Sequence, residues 1–464
     1  MLIKQNGGKV VNSGGFGCIF SPSLKCENTE LNKGKDPQNE ISKLMITKYA
    51  EYEYNQIEKY RKMLNVIPNY NNYFLLNKFQ LCKPDKLTRN DLKGYKKCKN
   101  IKKAINGKNI NDSLNELMVI NMPNGGINIE EFIKEYFTIK SNIIKLNNSL
   151  IDLLVNGIIP MNKLNVYHCD IKDGNVLIQN ETVFITRLID WGLSFIWNDR
   201  YKGIPSKIYR RPFEFNVPFS SILFNKDFIK LYNDFLELNP SPTFFSIREF
   251  VINYIFIWNN IRGPGHLNII NNIIKKFTIN ELTAIKDSDI KDHLIEYDFT
   301  HYYIVEYLSK ILEKYTNNKE FDLMTYFKNV FLKNIDIWGF TMIYIEFYRN
   351  LYNSFNTLNE YQMEFILKIK YIIIHFLYES HIIPIDISSL IIELTDLNKL
   401  IDKFDVTHSS KKIEYLSKFE DNINGFKKFK IKTEKKRRKN KEKTKKIKKT
   451  KKIKKTKKIQ KYKE

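Results

Sequence analysis

At 464 residues the chain is long enough for one large two-lobed domain or two ordinary ones, and with 43% apolar and 14% aromatic residues it is not composed like a disordered protein. Its net charge of +25 is unevenly placed: residues 427–464 hold 23 Lys/Arg against Glu434, Glu442 and Glu464, so only +5 belongs to the 426 residues before them. The basicity is a property of a tail, not of a domain. Cys18, Cys26, Cys82, Cys98 and Cys169 form no C-x-x-C pair and are odd in number. That pattern predicts reduced thiols in an intracellular compartment, with neither a zinc site nor a disulfide framework. The N-terminal "MLIKQNGGKVV" lacks the apolar core of a signal peptide, and no apolar run reaches the roughly 18 residues that span a bilayer. A soluble intracellular protein is expected.

Residues 8–48 read as short strands broken by turns. In "NSGGFGCIF" (12–20), Gly14, Gly15 and Gly17 between β-branched runs allow a tight hairpin whose backbone N–H groups can approach a polyphosphate. Taken alone, such a hairpin is more often only a turn. The next strand, "ISKLMI", carries Lys43 among Ile41, Leu44 and Ile46, where an ammonium can reach α- and β-phosphates. Residues 50–64 have helix formers throughout, with Tyr54, Ile57 and Met63 among the apolar positions. A carboxylate from this helix could hold Lys43. Glu53 is preferred, because Ile57 one turn later anchors its face, and Glu51 is the alternative. Residues 114–133 read as a strand, a Pro/Gly turn and a helix start, and 139–158 as a buried helix.

The most specific stretch is "NVYHCDIKDGNVLI" (165–178). A hydroxyl attacking a phosphoryl group needs a carboxylate to orient it and accept its proton, and Asp170 supplies one. Lys172 can neutralise charge on the transferred group. Asn175, with Asp190 of "LIDWGLSF" (188–195), offers the oxygen ligands a hard metal ion prefers. Beyond 220 the chain reads as mostly helical, for example over 268–277, 303–315, 336–352 and 360–378. The terminal "TKKIKKTKKIKKTKKI" repeats every six residues, which would point Ile447, Ile453 and Ile459 about 240° apart on a helix, so a disordered tail is expected.

Taken in order over roughly residues 8–400, these motifs resemble those of the eukaryotic-type serine/threonine protein kinases. More narrowly, "GCIFSP", "ISKL", "HCDIK" and "RPFEFNVPFSSILFN" resemble segments of the kinases encoded by large nucleocytoplasmic DNA viruses. The resemblance implies an α+β, two-lobed protein-kinase fold. Its small β-rich N-lobe would span 1–120 and its large helical C-lobe 121–426, with a helical insertion at about 220–330 and a disordered Lys-rich tail at 427–464.

It implies ATP as phosphate donor, with Mg²⁺ or Mn²⁺. Asn12, Gly14, Gly15, Gly17, Ile19, Lys43 and Glu53 would lie at the nucleotide, with Asn121 and Met122 of "MVINMPNGG" as an adenine-binding hinge. Asp170 and Lys172 would be catalytic, and Asn175 and Asp190 would hold the metal. Lys172 follows the serine/threonine rather than the tyrosine pattern. "YRRPFE" (209–214) resembles the family's Y-R-A-P-E segment, and Asp336 of "DIWGFTMIY" the aspartate that supports the catalytic-loop backbone. Protein substrates are implied, in host cytoplasm or virion if the chain is viral.

Three departures stand out. Asn12 takes the first glycine position, Trp191 replaces the phenylalanine of D-F-G, and Cys169 stands where the family's catalytic loop has arginine. That arginine reads an activation-loop phosphate and touches neither ATP nor the transferring group, so its loss implies altered regulation rather than lost chemistry. If another arginine serves instead, Arg187 is one candidate. The competing readings are a pseudokinase scaffold whose tail recruits nucleic acid or acidic proteins, and a kinase-fold enzyme acting on a small molecule or lipid.

The charge partition gives a direct test. Removing 427–464 should leave turnover on a small neutral peptide nearly unchanged while abolishing steeply salt-dependent retention on DNA or RNA, because such binding arises from counterion release. "KKRRKNK" (435–441) equally fits a nuclear address. Retention with an unchanged salt slope after truncation would place the basic site in the globular part.

Overall fold

The computed structural model describes residues 8–405 except 14–16, 33–38, 100, 102–104, 106–108, 181–182, 202, 210, 278–299, 318 and 353–357. Gly14, Gly15 and the tail therefore lie outside the described residues. The architecture is α+β, with a β-rich N-terminal region followed by a helical C-terminal region.

The N-terminal region is one antiparallel sheet in the order β1-β2-β3-β5-β4. Its strands are β1 (Lys9–Ser13), β2 (Gly17–Ser21), β3 (Glu40–Ile46), β4 (Gln80–Cys82) and β5 (Leu117–Pro123). β5 crosses the expected boundary at 120, so this β-rich region runs to Pro123. Helix α1 (Thr47–Leu64) follows β3 directly and buries Ala50, Ile57, Tyr60 and Leu64, a one-sided stripe at helical spacing.

The cysteine expectation is overturned. Cys18 pairs with Cys98 and Cys26 with Cys82, leaving Cys169 as the one free thiol. The partners are 80 and 56 residues apart, and the sheet, not local spacing, brings them together. With the reduced-thiol premise goes the argument from cysteine usage for an intracellular compartment. No helix among the described residues is long and apolar enough to cross a membrane.

Two short ladders connect this region to the helices. β6 (Ile127–Asn128), β8 (Val176–Asn180) and β9 (Phe184–Leu188) form a three-stranded sheet, and β7 (Val166–Tyr167) pairs with β10 (Phe195–Ile196). Together they pin both ends of the 168–175 loop. β7–β10 fixes the chain just before His168, and the Ile189 N–H donates to the Asn175 carbonyl where β8–β9 begins.

Helix α2 (Ile129–Tyr136) is N-capped by Asn128, and α3 (Lys140–Asp152) continues into a wider π-type turn over Leu153–Ile158. The 220–330 stretch contributes α4 (Lys226–Leu238), α5 (Phe244–Arg262), α6 (Leu267–Phe277) and α7 (Thr300–Tyr315). These helices join the main core: Tyr307 of α7 packs with Phe219 and Trp338, whose rings also meet each other. The expected 336–352 helix is two, α8 (Leu332–Met342) and α9 (Ile345–Tyr352), and α8 is buried on every side from Asn334 to Met342. α11 (Ile387–Ile401) packs on α3, and α10 (Glu360–Ile372) packs on α11 and α9.

Peptide mapping without reductant should recover the Cys18–Cys98 and Cys26–Cys82 linkages and find Cys169 alkylated only after unfolding. Replacing Cys18 and Cys98 together by serine should lower stability by about 2–4 kcal/mol in denaturant titration. Full alkylation of all five thiols in the untreated protein would refute the pairing.

Candidate active site

Asp336, fully buried on α8, organises the loop. Its Oδ2 accepts the His168 backbone N–H at 2.9 Å and the Asn162 side-chain amide at 2.7 Å, and its Oδ1 accepts the Cys169 N–H at 2.8 Å. Burial raises the Asp336 carboxyl above its usual range, and His168 and these donors oppose the rise. Gly339, one turn on, lets the loop come close: a Cβ there would lie 2.5 Å from the Ile171 carbonyl oxygen. Cys169 itself has left-handed backbone, φ 64°, which only tight surroundings hold for a non-glycine residue.

His168 is buried, and its Nε2 lies 2.9 Å from the Ile189 carbonyl, which can only accept. The ring therefore carries its proton on Nε2, and Nδ1 accepts the Asp170 N–H at 3.3 Å. Burial lowers the His168 pKa against the nearby aspartates, so the imidazole stays neutral. Burial, with Asp336 adding to it, also raises the Cys169 thiol well above its ordinary range. It is an inert thiol, not a nucleophile.

Asp170 is the focus of the site. Lys172 Nζ donates to Oδ1 at 3.1 Å and Oδ2 at 2.9 Å, Asn175 Nδ2 to Oδ2 at 2.9 Å, and Asn216 Nδ2 to Oδ1 at 2.9 Å. Arg211 adds a cation 3.6 Å from Oδ1. Burial raises the Asp170 pKa, but Lys172, Arg211 and Asn216 outweigh it, so the carboxyl lies below its usual range. It is ionised at neutral pH.

Lys43 Nζ is 2.7 Å from both carboxylate oxygens of Glu53, while Glu51 is exposed. Ile19 of β2 stands opposite Lys43 in the sheet. Gly17 opposes Met45, and a Cβ there would come 2.6 Å from the Met45 side chain, so close packing of β2 on β3 already requires this glycine. Asn12 is exposed on β1, its Oδ1 accepting the Ser13 N–H.

Asn121 has a structural task. Its buried amide accepts from Ser42 Oγ and donates to the Leu24 carbonyl and Cys26 Sγ, and its backbone lies between β3 and β4. β4 ends opposite Asn121, so Met122 has a strand on its β3 side only.

Asp190 is exposed, with left-handed backbone (φ 64°), and its Oδ1 faces the Gly192 N–H at 3.4 Å. It follows Ile189, which is bonded to Asn175, so Asn175 and Asp190 come to one end of the β8–β9 hairpin. Asn175 uses its amide nitrogen on the Asp170 carbonyl and carboxylate, leaving the oxygen of the same amide for a cation. No cluster of three or more His, Cys, Asp or Glu suited to a metal occurs among the described residues. Two oxygen donors suit Mg²⁺, which keeps waters and takes further oxygens from phosphates. His266 instead packs its ring on Phe215 and donates its backbone N–H to the Phe213 carbonyl.

Trp191 is buried against Tyr60, His168 and Phe74, with ring centroids 5.2, 4.9 and 5.7 Å away. The Tyr60 hydroxyl reaches the Ser194 carbonyl at 2.5 Å. α1, which carries Glu53, is thereby tied to the segment after Asp190.

Sequence reasoning missed Arg211 and Asn216. Arg187, the arginine it named, sits on β9 and donates to the Asn71 carbonyl and Gln179 Oε1. The one local hint was Arg211 three residues before Glu214, its ion-pair partner. No known-family model and no curated protein matches the chain.

Asp336→Ala should leave the buried His168 and Cys169 amides without acceptors. A loss of about 2–5 kcal/mol is expected in denaturant titration. A variant as stable as the parent would show that α8 does not brace the loop.

Proposed function

We propose that the chain is a serine/threonine protein kinase of the kind encoded by large nucleocytoplasmic DNA viruses, transferring the γ-phosphate of ATP to protein hydroxyls with Mg²⁺. The carrying observation is the convergence on Asp170: an ionised carboxylate ringed by donors, on a loop braced by Asp336. A pseudokinase scaffold has no physical need for this arrangement together with the Lys43–Glu53 pair and the Asn175 and Asp190 oxygens.

In this reading Lys43, held by Glu53, neutralises the non-transferring phosphates. Asn175 and Asp190 would hold the metal ion. Bound there, Mg²⁺ would offset phosphate charge at the bond that breaks. The acceptor oxygen forms its bond to the γ-phosphorus as the bridging oxygen leaves with the electron pair on ADP, and the hydroxyl proton passes to Asp170 and then to solvent. Lys172, paired with Asp170, would neutralise the transferring group.

A carboxylate with a lowered pKa is a weak base. Asp170 is thus better suited to orienting the hydroxyl, with its proton moving late, than to stripping it early. That fits a loose transition state in which little nucleophile activation is needed. Trp191 fills the space behind His168 with an apolar ring.

The test is incubation of the purified chain with radiolabelled ATP, Mg²⁺ and generic protein acceptors, followed by phosphoamino-acid analysis. Phosphoserine and phosphothreonine are expected. Asp190→Asn should abolish transfer with the fold intact, and Asp170→Ala should remove most turnover while ATP binding persists. Phosphatase-treated enzyme should be active from the earliest time points. Wild-type turnover in Asp190→Asn, or labelled lipid with unlabelled protein, would overturn the reading.

A further inference from the structure

We propose that Arg211 is the positioning residue of this site: from the 211–216 segment its guanidinium holds the Cys169 carbonyl and flanks Asp170, giving the loop from outside the fixed positive charge that Cys169 cannot provide. This deepens the kinase reading and rests on it.

Arg211 is only 4% exposed, and a cation so buried must be paired to persist. Glu214 is its counter-ion. The guanidinium nonetheless reaches past Glu214: Nη1 donates to the Cys169 carbonyl, and Nη2 lies 3.6 Å from Asp170 Oδ1. The strained peptide is thus clamped on both faces. Its N–H is held by Asp336 and its carbonyl by Arg211, on either side of a left-handed Cys169.

The segment that delivers Arg211 is itself anchored. Asn216 donates to Asp170 Oδ1 and the Ile171 carbonyl, Trp338 Nε1 to the Phe215 carbonyl at 3.0 Å, and the His266 N–H to the Phe213 carbonyl at 2.7 Å. Every one of these contacts is internal to the chain. The guanidinium is charged at all relevant pH and already has its carboxylate, so the loop is assembled without an added phosphate.

The test compares wild type, Arg211→Gln, Arg211→Lys and Asp170→Asn. Arg211→Gln should lower kcat roughly 100-fold, as expected for a misplaced catalytic group, with KM for ATP little changed. Arg211→Lys, which keeps a cation there, should recover part of kcat. An unchanged kcat, a loss carried by KM for ATP instead of kcat, or a loss that lysine does not relieve, would overturn the assignment.

A readout independent of turnover is the double-mutant cycle of Arg211→Gln with Asp170→Asn in unfolding. Non-additive effects are expected, and additive ones count against the contact. Coupling without any phosphotransfer by the wild type would instead overturn the kinase reading and the role built on it. Should Arg211→Gln fail to fold, Arg211→Lys carries the same kcat and KM comparison.

Discussion

The Asp336 carboxylate is the interaction on which the site depends. A left-handed Cys169 is unfavourable for a side chain with a Cβ, and nothing in "HCDIK" alone would keep it so. The two oxygens of one buried aspartate take the N–H groups of His168 and Cys169 in succession, which fixes the direction of the chain as it reaches Asp170. α8 can carry that aspartate to the loop because Gly339 removes the side chain that would block the approach. The same helix holds the 211–216 segment through Trp338. One rigid, buried element therefore sets both sides of the Asp170 carboxylate.

The second constraint is how the sheet side communicates with the loop side. Glu53 and Tyr60 lie on α1 seven residues apart, close to two helical turns, so they share a face. Glu53 holds Lys43 from the sheet, and Tyr60 grips the Ser194 carbonyl and stacks on Trp191. Lys207 reaches the same Ser194 carbonyl at 2.6 Å, from the chain just before Arg211. A shift of α1 would disturb the lysine, the residues beside Asp190 and this segment together. Packed cores tend to be bistable rather than continuously deformable, so the arrangement favours all-or-none assembly.

What the sequence made legible follows from the range of each interaction. Asp170, Lys172 and Asn175 share one tight turn, so their meeting is dictated by spacing. The Lys43–Glu53 pair was readable because a strand running straight into an amphipathic helix leaves few places for the glutamate. The disulfides were not readable, because Cys18–Cys98 and Cys26–Cys82 are joined only once five strands have aligned. Arg211 and Asn216 were hidden for the same reason: each meets the loop across more than 40 residues of chain whose path no local pattern encodes. Asn121 carries a task of the same hidden kind: its buried side-chain amide is used on Ser42 and Leu24, each far from it in sequence.

The concentration of charge around Asp170 is costly in desolvation, and its composition shows how that cost is offset. Asp336 is met by three N–H donors, Asp170 by two cations and two amides, and Arg211 by Glu214 and a carbonyl. Buried ionic networks of this kind contribute little net stability compared with an apolar core, but removing one member strands the others. Their benefit is geometric: each oxygen of Asp170 faces donors fixed in direction. A carboxylate held in this way cannot swing, so any partner must approach it in one orientation. In the proposed reading, that selectivity for orientation is what Asp170 contributes to the acceptor hydroxyl.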